Sequence, residues 1–165
     1  GEAFFEVEKG KNVKVVSENG VTEVLGTSFN IYTRNSDYKV FCKTGKVRVS
    51  NAKTDSKFVI EPNQVASINI STKKGKVSEA TSKEFVSWKE NKFNFVNEPI
   101  QNIFAELERQ YNVELTFSSK IIEKHTFTAY FEKSAQVEES LDLICNTFNF
   151  TFIKTGKNKY KVLQK

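Results

Sequence analysis

The run "KVRVS" at residues 46–50 alternates strictly, with Val47 and Val49 on one side and Lys46 and Arg48 on the other. A period of two belongs to an extended strand with one face buried and one face wet, and it is incompatible with a helix. The same pattern recurs through the first eighty residues, in "AFFEVEK", "NVKVVS", "VTEVLGTSFNIY", "YKVFC", "KFVI", "VASINI" and "KVSEA". Turn-forming residues separate the runs. Asn19-Gly20 is expected to supply the positive φ of a tight hairpin, a second turn centres on Gly45, "EPNQ" around Pro62 makes a third, and "KKG" ending at Gly75 a fourth. Gly26 breaks a good strand pattern, which predicts a bulge or a sharp bend where a Cβ would clash. Residues 1–83 therefore read as an all-β, antiparallel module.

After residue 83 the period changes. "NKFNFVNEP" is a strand through Phe93 and Phe95, and Asn97, Glu98 and Pro99 are expected to cap and open a helix carrying Ile100, Ile103, Phe104 and Leu107 at helical spacing. Val113, Leu115 and Phe117 make the next strand, and "HTFTAYF" another. Ser134 is expected to cap a second helix bearing Val137, Leu141, Ile144, Cys145 and Phe148, before a closing hairpin turned at Gly156. The order β-α-β, β-α-β, β predicts a small α+β module of two βαβ-like units at residues 84–165. Composition supports the division at residue 83. Residues 1–83 carry 14 Lys/Arg against 9 Asp/Glu, residues 84–165 carry 11 against 11, and ten of the fifteen Phe lie in the second half. The neutral second half predicts little steering of a partner by charge on that side.

Groups able to run a reaction are scarce. His125 is the one histidine, and no Cys, Asp or Glu stands near it at metal-ligand spacing, so it is expected to be solvated or capping. Cys42 and Cys145 lie in apolar surroundings about a hundred residues apart and read as free, buried thiols, with a disulfide between them the alternative. Asp37, Asp55 and Asp142 are the three aspartates, and none faces a Glu across an evident cleft. Ser28 and Ser87 lack a nucleophile-elbow context. No catalytic residue, cofactor-binding residue or metal ligand is therefore assigned, and the chain is expected not to be an enzyme. The basic excess of Lys9, Lys11, Lys14, Lys39, Lys43, Lys46 and Arg48 falls on wet strand faces or in turns, with three arginines in all, which favours solvation over nucleic-acid binding. Trp88, near the expected module junction, is either a packing anchor between the modules or an exposed contact for a partner.

Three blocks carry a family resemblance: "VLGTSFN" from Val24, "TGKVRV" from Thr44, and "SWKENKFNF" with "EPIQNIFAELERQYNV" from Ser87, in that order. With "GEAFFEVEKG" and "IEPNQVASI" they resemble the FecR-type anti-sigma factors, or sigma regulators, of gram-negative bacteria, in the form common in Bacteroidetes. The C-terminal part is similar to the short signalling domain at the N-terminus of secretins and certain TonB-dependent receptors. The resemblance implies the periplasmic region of a single-pass inner-membrane protein. Such a protein holds an extracytoplasmic-function sigma factor through a cytoplasmic segment, spans the membrane once, and contacts the periplasmic signalling domain of an outer-membrane TonB-dependent receptor. The strand-like start at Gly1 without Met fits a fragment whose sigma-binding segment and membrane helix lie upstream. An envelope or secretion-system scaffold without a transcriptional role, and a periplasmic glycan-binding module, are the alternatives.

Overall fold

The structure, a computed structural model, describes residues 1–34, 37–54, 56–119, 123 and 125–165. The chain divides into two compact units, Gly1–Ser87 and Trp88–Lys165, each with its own core.

Among the described residues the first unit has nine strands: β1 (Glu2–Glu6), β2 (Asn12–Val16), β3 (Gly20–Leu25), β4 (Ser28–Arg34), β5 (Asp37–Thr44), β6 (Val47–Asn51), β7 (Lys57–Ile60), β8 (Gln64–Asn69) and β9 (Gly75–Glu79). They form a five-stranded sheet in the order β1-β4-β5-β8-β9 and a four-stranded sheet in the order β2-β3-β6-β7, with antiparallel pairing throughout. After β1 the chain deposits its strands in twos, alternately on one sheet and the other. The alternation seen in the sequence explains why both sheets close on a single core. Val24, Val47, Val49 and Ile60 enter it from one sheet, and Phe29, Ile31, Val40, Cys42, Ala66 and Ile68 from the other. Tyr38 is fully buried there, and its hydroxyl finds Thr22 Oγ1 of the opposite sheet at 2.8 Å, so the buried phenol is satisfied.

The turns read from the sequence at Gly45 and "EPNQ" are present, and they carry the chain from one sheet to the other, since β5 and β6, like β7 and β8, lie in different sheets. Gly26 likewise marks the crossing from β3 to β4. It has φ +75, and a Cβ there would meet the Lys9 Cα at 2.4 Å, so both backbone conformation and space demand glycine. The β2–β3 hairpin does form, but neither Asn19 nor Gly20 has a positive φ. Ser17 closes the turn instead: its N–H and hydroxyl both donate to the Gly20 carbonyl, at 3.0 and 2.9 Å. Gly20 is needed for room, since a Cβ would lie 2.3 Å from the Tyr38 ring.

The outer face of the five-stranded sheet is also covered. Phe41, Val65 and Ala80 form a second cluster with Phe85 of α1 (Ser82–Val86), and the Phe41 and Phe85 rings stack at 5.1 Å. This contact is why residues 84–87 group with the β module, and why the division falls at Ser87 and Trp88 and not after Lys83.

A 3-10 turn (Ser87–Glu90) leads into the second unit, which continues with β10 (Lys92–Pro99), α2 (Ile100–Tyr111), β11 (Glu114–Thr116), β12 (Thr126–Glu132), α3 (Val137–Thr147), β13 (Phe150–Gly156) and β14 (Lys159–Gln164). The succession of helices and strands follows the sequence pattern, but the pairing is split. The leading strands β10 and β12 pair antiparallel, whereas the trailing strands flank β14, β11 parallel and β13 antiparallel to it. Both helices bury the faces that their spacing marks: Ile100, Ile103, Phe104 and Leu107 from α2, and Val137, Leu141, Ile144 and Cys145 from α3. Their starts differ from expectation. Asn97 sits at φ 49 in a bulge of β10 and is no cap; Pro99 is the N-cap residue of α2. Ser134 donates to the Gln136 carbonyl at 2.7 Å, and Gln136 takes the cap position of α3. The other end of α2 is conventional, with Asn112 in the left-handed conformation and its N–H on the Glu108 carbonyl.

Candidate interaction surface

The residues singled out for chemistry do not converge. Cys42 on β5 and Cys145 on α3 are both free and buried, in different units, and burial pushes each thiol up to about 11. Cys42 Sγ points at the carbonyls of Thr44 and Gly45, at 3.4 and 3.5 Å. Asp37 is ion-paired with Lys39 at 2.9 Å, Asp142 is exposed on α3, and Asp55 lies outside the described residues. The Ser28 N–H donates to Thr44 Oγ1 at 2.9 Å, while buried Ser87 donates its hydroxyl to the Lys83 carbonyl. His125 is half-buried. Its ring meets Phe148 and Phe150 edge-on at 5.1 and 5.6 Å, because the Phe-rich second core offers it aromatic neighbours. Its backbone does the capping: the His125 carbonyl accepts the N–H of Ile100, the first residue of α2. Among the described residues no group of three His, Cys, Asp or Glu side chains is placed to hold a metal ion, and no helix is long and apolar enough to cross a membrane.

One shallow polar groove lies in the second unit, lined by Asn91, Gln110, Tyr111, Lys133, Ser134 and Ala135. Its polar groups answer one another. Lys133 Nζ donates to the carbonyl and the Oε1 of Gln110, both at 3.1 Å, so the cation closes the C-terminal end of α2, and it lies 5.2 Å above the Tyr111 ring.

The unmatched surface is at the end of the chain. Residues 150–165 hold five Lys and no Asp or Glu, whereas residues 84–149 hold 6 Lys/Arg against 11 Asp/Glu. The neutral total of the second half conceals this separation. Summing charge over shorter windows would have exposed it. Lys154 and Lys159 are paired, with Glu138 at 3.3 Å and Glu114 at 2.6 Å. Lys157 and Lys161 have no carboxylate within ion-pair reach among the described residues. Strand alternation puts Ile153, opposite Lys161, on the face away from the core, and Ile153 is 48% exposed. On the helix side the hairpin is pinned. The Tyr160 hydroxyl donates to Glu138 Oε1 at 2.5 Å, and that bond, foremost among several causes, holds the Glu138 carboxyl below its ordinary range.

Residues 92–162, nearly the whole of this unit, match the family model described as FecR, C-terminal. The unit is a FecR C-terminal domain. No curated protein sequence matches the chain. Among solved structures, the whole chain resembles two crystal structures, at 1.65 and 2.50 Å resolution, of a protein named "putative anti-sigma factor" from Parabacteroides distasonis ATCC 8503. In each case the TM-score is 0.85 with 24% sequence identity, covering 100% of this chain and 78% of that one. The likeness demonstrates a common fold for both units, the FecR C-terminal domain included.

Proposed function

We propose that the chain is the periplasmic region of a FecR-type anti-sigma factor, and that it relays protein contact from an outer-membrane TonB-dependent receptor toward an extracytoplasmic-function sigma factor. The observation that carries this reading is the FecR C-terminal match over residues 92–162, in a unit with its own core and a basic open hairpin. The fold shared with a protein named as an anti-sigma factor supports it. In this reading residues 84–165 make most of the receptor contact, and the β module holds that surface away from the membrane. Binding without chemistry is all that a relay requires, and a modest affinity lets it release as well as engage. Calorimetric titration of the full chain with the periplasmic signalling domain of its cognate receptor tests the proposal. Saturable one-to-one binding, with a Kd of about micromolar order, is the expected result. Absence of binding at concentrations of about 100 μM, two decades above that, would overturn it.

A further inference from the structure

The edges of the second unit's sheets are not equivalent. β10 is broken by a bulge between Phe95 and Glu98 and ends in Pro99, and β11 is three residues long. Bulges, proline and short length are the means by which edges are kept from pairing. β12 has none of them, and β13 has none from Phe150 to Lys154, its one bulge lying beyond, between Lys154 and Gly156. β13 is the terminal strand in the order β11-β14-β13, is seven residues long without proline, and has no strand on its outer side. Such an edge presents unpaired backbone N–H and C=O groups as a template for one more strand.

The surroundings of that edge select the occupant. Exposed Ile153 offers an apolar anchor, Leu163 lies beside it on β14, and Lys161 opposite Ile153, with Lys157 in the turn, adds positive charge that no carboxylate among the described residues offsets. A second copy of this hairpin would bring equal positive charge to the same edge, so self-pairing is opposed. An acidic strand meets the opposite situation. We propose that β13 is a docking edge that accepts, as an added strand, an extended segment of the partner in which Asp or Glu alternates with an apolar residue. Backbone bonds to β13 supply the register, a side chain over Ile153 supplies burial, and Lys157 and Lys161 supply charge selection. The identity of the partner as the receptor's signalling domain rests on the function proposed above; the edge and the chemistry of its occupant are the new elements.

The test uses the full chain and the cognate receptor's signalling domain, with calorimetry in low and high salt and with backbone amide exchange. Ile153→Asp and the double variant Lys157→Glu/Lys161→Glu alter exposed positions, and thermal melting checks that each folds. Should Ile153→Asp fail to fold, the double variant still decides the question. Each is expected to weaken binding by about tenfold or more, high salt to weaken the wild type, and exchange at residues 151–155 to slow in the complex. Val96→Asp, on the bulged β10, is expected to change affinity less than about twofold. Wild-type binding that the β13 variants leave intact, or protection confined to β12, overturns the docking edge while the partner assignment stands. No binding by the wild type overturns both. Vesicles containing phosphatidylglycerol are a further arm. Binding to them that the lysine variants abolish, without any effect of those variants on receptor binding, would assign the basic face to a lipid surface and also overturn the proposal.

Discussion

Two kinds of residue show how closely the interior is fitted. Gly26 stands at φ +75 with the Lys9 backbone 2.4 Å from where a Cβ would be. Gly26→Ala therefore combines left-handed strain of about 1–2 kcal/mol with a clash against main chain that cannot swing aside, and a total loss of about 2–4 kcal/mol is expected. Urea unfolding with an unchanged m-value would measure it; a loss under about 0.5 kcal/mol would mean that the β1–β2 link moves freely. The thiols make a different prediction. With pKa values pushed up to about 11, Cys42 and Cys145 are about one-thousandth thiolate at pH 8. Labelling by a disulfide reagent is expected to be slow in the native protein and fast in urea. The stability sign follows from the same shift. An unfolded thiol ionises near its ordinary value of 9.0 and the folded one near 11, so stability is fully present below pH 9 and declines as pH rises through about 11. Midpoints measured at pH 8 and pH 10.5 should fall in that order, and a rise would contradict the burial of both groups.

At the level of elements, the sequence disclosed which residues extend and which coil, but not with whom each strand pairs. Alternation tells which face of a strand is buried, and that information is the same for a hairpin partner and for a strand in the facing sheet. Gly45 and "EPNQ" are thus legible as turns, but not as crossings between sheets. Helical spacing was more informative: Ile100, Ile103, Phe104 and Leu107, like Val137, Leu141 and Ile144, lie on the buried faces that it indicates. The helix starts were less legible, since Asn97 and Ser134 have the right chemistry for caps but are each held two residues too early, by the bulge and the preceding turn. The candidate docking edge was hidden for a reason of arithmetic, five lysines being cancelled by the acidic excess of residues 84–149. One element contact yields a direct prediction. Glu138 on α3 accepts from Tyr160 of β14 and pairs with Lys154 of β13, so Glu138→Gln is expected to loosen the hairpin from the helix. The partly exposed site limits the global loss to about 1 kcal/mol or less. Because the Glu138 carboxyl is held low in the fold, its contribution is present above the ordinary carboxylate range and disappears as pH falls through its lowered value. Amide exchange in β13 and β14 should accelerate in the variant at pH 7, and the difference from wild type should shrink in acid. An unchanged exchange pattern would show that the hairpin is held by Phe150, Tyr160 and Val162 alone.

For the whole molecule, the decisive feature is that the two cores share no residue. The first is built from aliphatic strands with Phe29 and Tyr38, the second from helix faces and rings around Phe104, Phe127 and Phe150. A domain of fewer than ninety residues has little stability to spare, and a Phe to Ala change at a fully buried site removes about 3–5 kcal/mol. Phe104 is fully buried and also packs its ring on Phe117 at 5.2 Å. Phe104→Ala is therefore expected to unfold the second unit in most molecules, or to lower its melting point by tens of degrees, while β4, β5 and β8 remain protected. The reciprocal change, Phe29→Ala, should open the five-stranded sheet and leave α2 and α3 protected. Amide exchange followed peptide by peptide in the two variants separates the outcomes. Loss of protection confined to the mutated unit means that each core sustains its own fold, so that the receptor-contacting unit proposed here can reorganise on binding without melting the β module. Loss spread over both units by either substitution would show that they fold as one cooperative body, and a relay through two independent units would have to be abandoned.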